Sequence, residues 1–187
     1  MLTRVSLVLT LVATIGCLAE GAHDVDDVPR DAYPDGPFGS GEGDVLENHV
    51  FTLPSGAALA LQEVRADADA QLLLLVTAAE WCTACLEEQP ELQRLYERRA
   101  ADGLRVMVGV FEDAEFAPAT PADAAQWQDH HALSFMVVAD PDFALRAYYD
   151  AALSPMNMLV RLGPMTIERI ITGRDPLLLE SLVEALL

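Results

Sequence analysis

Two continuous apolar runs, Leu72 to Thr77 and Leu104 to Phe111, flank a segment of helical pattern that runs from about Cys82 to Ala101. An apolar run without alternation fits a strand covered on both faces, as in a parallel sheet layered with helices. The helical segment closes at Asp102-Gly103, where glycine marks a helix stop. Strand, helix and strand in this order make a βαβ unit. Its crossover is right-handed, because a right-twisted strand feeding a helix packs back onto its sheet only that way.

The rest of the pattern extends this unit. Val50 to Leu53 and Ala58 to Leu61, separated by Pro54-Ser55-Gly56, predict an N-terminal strand pair. A helix from about Pro121 to His131, a strand from Phe135 to Ala139 and a short helix from Asp142 to Tyr149 follow. Met158 to Leu162 and Ile167 to Ile171 form a hairpin around Gly163-Pro164. Asp175-Pro176 supplies an N-cap and a proline at the first helical position for a terminal helix, Leu177 to Leu187. The expected fold class is α/β, with a mixed central sheet flanked by helices.

Composition bounds the function. The 187 residues carry 11 Lys plus Arg against 30 Asp plus Glu, a formal net charge of −19. That charge repels phosphate backbones and anionic lipid head groups, so no nucleic-acid partner is expected. A disulfide-stapled miniature fold is excluded by the length and by a count of three cysteines. One cysteine ends an apolar leader and two lie close together, so they serve different purposes.

In the leader, Arg4 precedes the apolar run Val5 to Ala13, which is too short for a comfortable membrane span and is shaped like a signal-peptide core. It ends in Thr14-Ile15-Gly16-Cys17, which resembles the lipobox of bacterial lipoproteins. That resemblance implies a lipoprotein signal peptide over residues 1–16 and lipidation of Cys17. The other reading is an ordinary cleaved signal, or an uncleaved anchor, with an incidental cysteine. The Gly/Pro/Asp-rich stretch that follows has no helical or strand period and reads as a flexible tether over 17–44, leaving 45–187 as the domain.

Chemistry concentrates at Glu80-Trp81-Cys82-Thr83-Ala84-Cys85, where the buried strand turns into the helix. A cysteine at a helix N-terminus meets unpaired amides and the positive end of the helix dipole, which favour the thiolate. Cys82 is therefore the expected nucleophile, and Cys85, one turn on, resolves the mixed disulfide. Zinc sites share this spacing but need further ligands; only four histidines and no second cysteine pair remain. Neither a metal nor another cofactor is expected. Cys85, Glu88, Leu92 and Leu95 share one helix face, and the leucines mark it as the buried one. An acid there has a raised pKa and is placed to exchange a proton with Cys85; alternatively Glu88 is solvated beside Glu87 and Glu91. Pro90 inside the helix marks a kink. Trp81 shields the thiols or simply fills the core, and His130 and His131 cap or flank a surface helix.

The string Ala79 to Cys85 resembles the active-site segment of thioredoxins, and Cys85-Leu86-Glu87-Glu88-Gln89-Pro90-Glu91-Leu92 resembles the TlpA-like branch of membrane-tethered periplasmic thiol–disulfide oxidoreductases. Leu153-Ser154-Pro155-Met156-Asn157-Met158 is similar to that family's cis-proline loop, with Ser154-Pro155 in the place of the usual Thr-Pro or Val-Pro. The resemblance runs from about Gly43 to the C-terminus. It implies a thioredoxin-like fold with an extra N-terminal strand pair and an αβ insertion, and a cis peptide at Pro155. It also implies pairing of the Ser154 backbone with an extended client, and a proton-transfer role for Glu88. Client proteins with disulfides or thiols, an upstream electron donor and a membrane reached through the lipid anchor are the implied partners. The implied location is extracytoplasmic, in the periplasm. Leu18 after the lipid-bearing cysteine, in place of an Asp, favours the outer membrane.

Three rivals share the fold or a related one. Peroxiredoxin chemistry needs a Pro-x-x-x-Thr-x-x-Cys surround, which the residues before Cys82 do not provide. A copper chaperone would want a Cys-x-x-x-Cys pair and a well-placed His, and only the fold agrees. The third rival is a surface lipoprotein that uses the fold as a binding module with a static Cys82–Cys85 disulfide.

Overall fold

The computed structural model describes residues 29–187. In chain order its strands are β1 (Val50–Thr52), β2 (Ala58–Ala60), β3 (Leu72–Ala79), β4 (Leu104–Glu112), β5 (Met136–Ala139), β6 (Met156–Arg161) and β7 (Thr166–Thr172). Its α-helices are α1 (Leu61–Arg65), α2 (Thr83–Arg99), α3 (Pro121–His130) and α4 (Pro176–Leu186). The strands form one mixed sheet in the order β2-β1-β5-β4-β3-β6-β7. β3, β4 and β5 run parallel, while β6, β7 and the β1–β2 pair are antiparallel to their neighbours. This is the thioredoxin-like fold with the extra strand pair and inserted αβ unit that the sequence predicts.

β3 is buried along its whole length, because its alternate side chains serve two different layers. Leu72, Leu74 and Val76 pack with Leu92 and Leu95 of α2 and Leu179 and Val183 of α4. Leu73 and Leu75 pack on the opposite face with Leu61 and Val64 of α1, Phe51 and Tyr148. Pairing of β3 with β4 on one side and β6 on the other puts the C-terminal end of β3 at the centre of one pole of the sheet. That pole carries the site.

Several boundaries differ from the sequence pattern. Leu61 opens α1 and does not extend β2, and this one-turn helix is too short to leave a readable period. The segment Asp142 to Tyr149 is a 3₁₀ turn over Ala144–Tyr148, entered through Phe143 at φ 49°. α2 ends in a 3₁₀ turn at Ala100–Asp102, with Gly103 at φ 102° closing it.

From Pro29 onward the stretch assigned to the tether lies against the domain. The buried Arg65 guanidinium donates to the carbonyls of Gly163, Ala32 and Pro29 at 2.9, 2.6 and 2.7 Å. Further along, Phe38 bridges to Val45 and Val45 to Thr166 at the β7 edge, while the Tyr33 hydroxyl donates to the Leu46 carbonyl at 2.9 Å. Arg65 and Gly163 sit at the end of the sheet where β3 begins and β6 finishes, the pole opposite the site. The leader 1–16 and Cys17 lie outside the described residues. Among the described residues no helix is long and apolar enough to cross a membrane.

Candidate active site

β3 ends at Ala79, and the chain turns through Glu80 and Trp81 into α2, with the Cys82 amide donating to the Ala79 carbonyl at 3.0 Å. Cys82 is the N-cap of α2. Its Sγ accepts the Cys85 backbone N–H at 3.2 Å, an interaction that strengthens as sulfur becomes negative. Cys82 and Cys85 are joined by a disulfide. Cys82 is 6 % exposed and Cys85 fully buried, so attack from outside can reach only the first sulfur.

Trp81 is half-buried beside the pair. Its indole N–H donates to Glu112 Oε2 at 2.8 Å, its ring meets Phe111 edge-on and stacks on the exposed Phe116 at 5.4 Å. It thus joins the aromatic core. Glu80, next to it, has its carboxyl raised above the usual range by partial burial and by Asp123, Asp113 and Glu115.

The Ser154–Pro155 peptide is cis. β6 follows it and pairs antiparallel with β3, Asn157 opposite Val76, so Pro155 stands alongside the end of β3 from which the disulfide turn departs. The Met156 amide donates to Thr77 Oγ1 at 3.0 Å across this junction.

Glu88 lies on the buried face of α2, one turn beyond Cys85, and is 1 % exposed. Burial raises its pKa to about 7; a hydrogen bond from Asn157 opposes the shift. That bond runs from Asn157 Nδ2 to Glu88 Oε1 at 2.9 Å, and Glu88 Oε2 has no partner among the described residues. Glu88 also lines a cavity of about 240 Å³ between α2 and α4, together with Leu92, Arg98, Leu177 and Glu180. Gln89, also buried, donates from Nε2 to the Cys85 carbonyl at 2.8 Å. This supports the helix beside Pro90, whose missing N–H deprives the Leu86 carbonyl of its backbone donor.

The fold therefore brings Cys82, Cys85, Glu88, Trp81, Ser154 and Pro155 to one pole. Sequence reasoning missed Asn157, although a lone amide inside the apolar run Met156 to Val160 signals a buried polar group in need of a partner. It also missed Thr77 and Tyr149, whose hydroxyls meet at 2.8 Å behind the proline loop. His130 and His131 sit at the C-terminal end of α3. Among the described residues no group of three or more His, Cys, Asp or Glu is placed to hold a metal ion.

The AhpC/TSA family profile matches residues 48–167, well over half of the chain and all of the sheet except most of β7. The chain belongs to the AhpC/TSA family. No curated protein matches its sequence. Solved structures similar to this AhpC/TSA chain include a secreted disulfide oxidoreductase of Mycobacterium tuberculosis homologous to E. coli DsbE, with 17 % identity and TM-score 0.56 over 74 % of this chain and 96 % of that one. The thioredoxin domain of a thiol-disulfide oxidoreductase from Bacteroides vulgatus gives 16 % identity and TM-score 0.61 over 78 % and 96 %. A hypothetical protein from Sinorhizobium meliloti gives 19 % and 0.66 over 78 % and 84 %. At these identities the likeness is one of fold.

Proposed function

We propose that this protein is a thiol–disulfide oxidoreductase that reduces disulfides of extracytoplasmic client proteins through Cys82 and Cys85. The observation that carries the reading is a helix-capping sulfur at the surface end of a buried cysteine pair, with an acid of pKa about 7 one turn below it. In the reduced protein the Cys82 thiolate attacks one sulfur of a client disulfide. The client S–S bond breaks, a client thiolate leaves and takes a proton, and a mixed disulfide forms. Cys85 gives its proton to the Glu88 carboxylate and attacks Cys82 Sγ, releasing the second client thiolate. Two electrons have passed from the dithiol to the client, and an upstream donor must return them.

Peroxide chemistry is not favoured within the AhpC/TSA family here. Leu75 and Ala79 stand at the Pro and Thr places of the Pro-x-x-x-Thr-x-x-Cys surround, and both are buried inside β3. The resemblance to the TlpA-like branch favours reduction over oxidation. With it go export by the signal peptide 1–16, lipidation at Cys17 and a periplasmic domain tethered to the outer membrane. The first described residues lie at the pole opposite the disulfide.

The deciding measurement is the reduction potential of Cys82–Cys85 in glutathione and dithiothreitol buffers. A value at or below about −250 mV supports the reductant, and one near about −120 mV reverses the direction. A pair that does not equilibrate leaves a binding lipoprotein with a static disulfide. Loss of membrane association in C17A, with the potential unchanged, tests the anchor.

A further inference from the structure

Three hydroxyls and one carbonyl make a continuous chain around the Ser154–Pro155 peptide. The Met156 N–H meets Thr77 Oγ1 at 3.0 Å, Thr77 Oγ1 meets the Tyr149 hydroxyl at 2.8 Å, that hydroxyl meets Ser154 Oγ at 3.1 Å, and Ser154 Oγ meets the Ala151 carbonyl at 2.8 Å. The two ends fix its direction. A carbonyl only accepts, so Ser154 donates to Ala151; its proton is then spent, so Tyr149 donates to Ser154 and Thr77 to Tyr149. The amide of Met156 can only donate, and it closes the chain at Thr77. Every hydroxyl gives one hydrogen bond and receives one, an arrangement in which each bond polarises the next.

The chain starts at the residue after Pro155 and ends three residues before Ser154, so it clasps the proline loop from both sides through Thr77 of β3. The Tyr149 ring is itself fixed. It meets Phe143 edge-on at 6.0 Å, and Phe143 stacks on Phe111 at 4.1 Å, which packs against Trp81. Burial raises the Tyr149 pKa, so its hydroxyl keeps the proton that the chain requires.

One consequence concerns the groups left for a client. The Ser154 N–H is turned inward to the Ala151 carbonyl at 3.2 Å, alongside the Ser154 hydroxyl. The Leu153 and Pro155 carbonyls both accept from the Gly173 amide. The Ser154 carbonyl accepts no hydrogen bond among the described residues.

We propose that Thr77 and Tyr149 are positioning residues for the client-binding loop, holding it so that the Ser154 carbonyl alone is offered to a backbone N–H of an extended client segment. This deepens the oxidoreductase reading and rests on it. Neither residue touches the sulfurs' chemistry, so their loss weakens client binding and leaves the dithiol's own reactivity alone.

The test compares two substrates of the full-length protein: a peptide disulfide flanked by extended chain, and a small aromatic disulfide with no backbone to pair. Y149F and T77V are expected to lower kcat/KM for the peptide roughly tenfold, through KM, as for loss of one or two hydrogen bonds. The small disulfide is expected to react within twofold of wild type, with the reduction potential unchanged. T77S keeps the hydroxyl and restores the peptide rate. Equal losses on both substrates, or none on the peptide, overturn the proposal. A wild-type protein that reduces neither substrate overturns the oxidoreductase reading itself, a distinct result.

Discussion

Glu88 is an acid enclosed by α2 and β6 that receives one hydrogen bond, from Asn157, and has a second oxygen without a protein partner. Desolvation outweighs that single donor, and its pKa stands near 7, against 4.5 for a free glutamate. At neutral pH the carboxyl is thus balanced between accepting and giving a proton, which is what a partner of the buried Cys85 requires. The same shift makes stability pH-dependent. The fold holds this proton up to about pH 7, whereas the unfolded chain releases it above 4.5. The stabilisation is therefore full below pH 4.5 and is lost as pH rises through about 7, for a total of about 3 kcal/mol. E88Q has no proton to lose and keeps an acceptor for Asn157. Its melting temperature is expected to match wild type at pH 4 and to exceed it increasingly up to pH 8; parallel curves across that range would contradict the assignment. The buried-face spacing with Cys85, Leu92 and Leu95 made Glu88 legible in the sequence. Asn157 carries the signal of a buried amide, but its pairing with Glu88 was not legible, because that partner lies on another element.

α2 carries most of the candidate site: Cys82 caps its N-terminus, with Sγ accepting the Cys85 N–H, and its interior breaks the helical rule at Pro90. The buried Gln89 amide on the Cys85 carbonyl compensates beside that break, and no periodicity argument identifies such a pairing. α1 and the 29–44 strap make the second instance. Nothing in the local sequence pattern singles out Arg65. In the fold it is 1 % exposed and ties three carbonyls together from two distant parts of the chain. Replacing it leaves those carbonyls without their donor and frees the strap. R65A is expected to cost about 3 kcal/mol or more in denaturant unfolding. It is also expected to speed tryptic cleavage after Arg30, while the disulfide at the other pole keeps its reduction potential. Retained stability and protection would show that the strap is held by its other contacts alone.

Over the whole molecule, acids outnumber bases by 30 to 11, and the basic groups are largely engaged, as in Arg98–Glu180, Arg105–Asp67 and Arg174–Glu91. The surplus negative charge is exposed and self-repelling, so salt is expected to stabilise the fold. The melting temperature should rise by several degrees between about 10 mM and about 0.5 M sodium chloride. A fall would mean that the surface ion pairs outweigh the repulsion. The α/β class, the βαβ unit, the place of the cysteine pair and the buried face of α2 were determined by the sequence alone. Each depends on local periodicity or on chemistry within one turn of helix. Only the tertiary structure decided which strand β6 pairs with, and hence that Asn157 meets Glu88 and that Thr77, Tyr149 and Ser154 share one hydrogen-bonded chain. It also decided that Arg65 is buried. These contacts join residues far apart in sequence, and their partners are chosen by packing and by the need to satisfy polar groups removed from water, neither of which leaves a local signal.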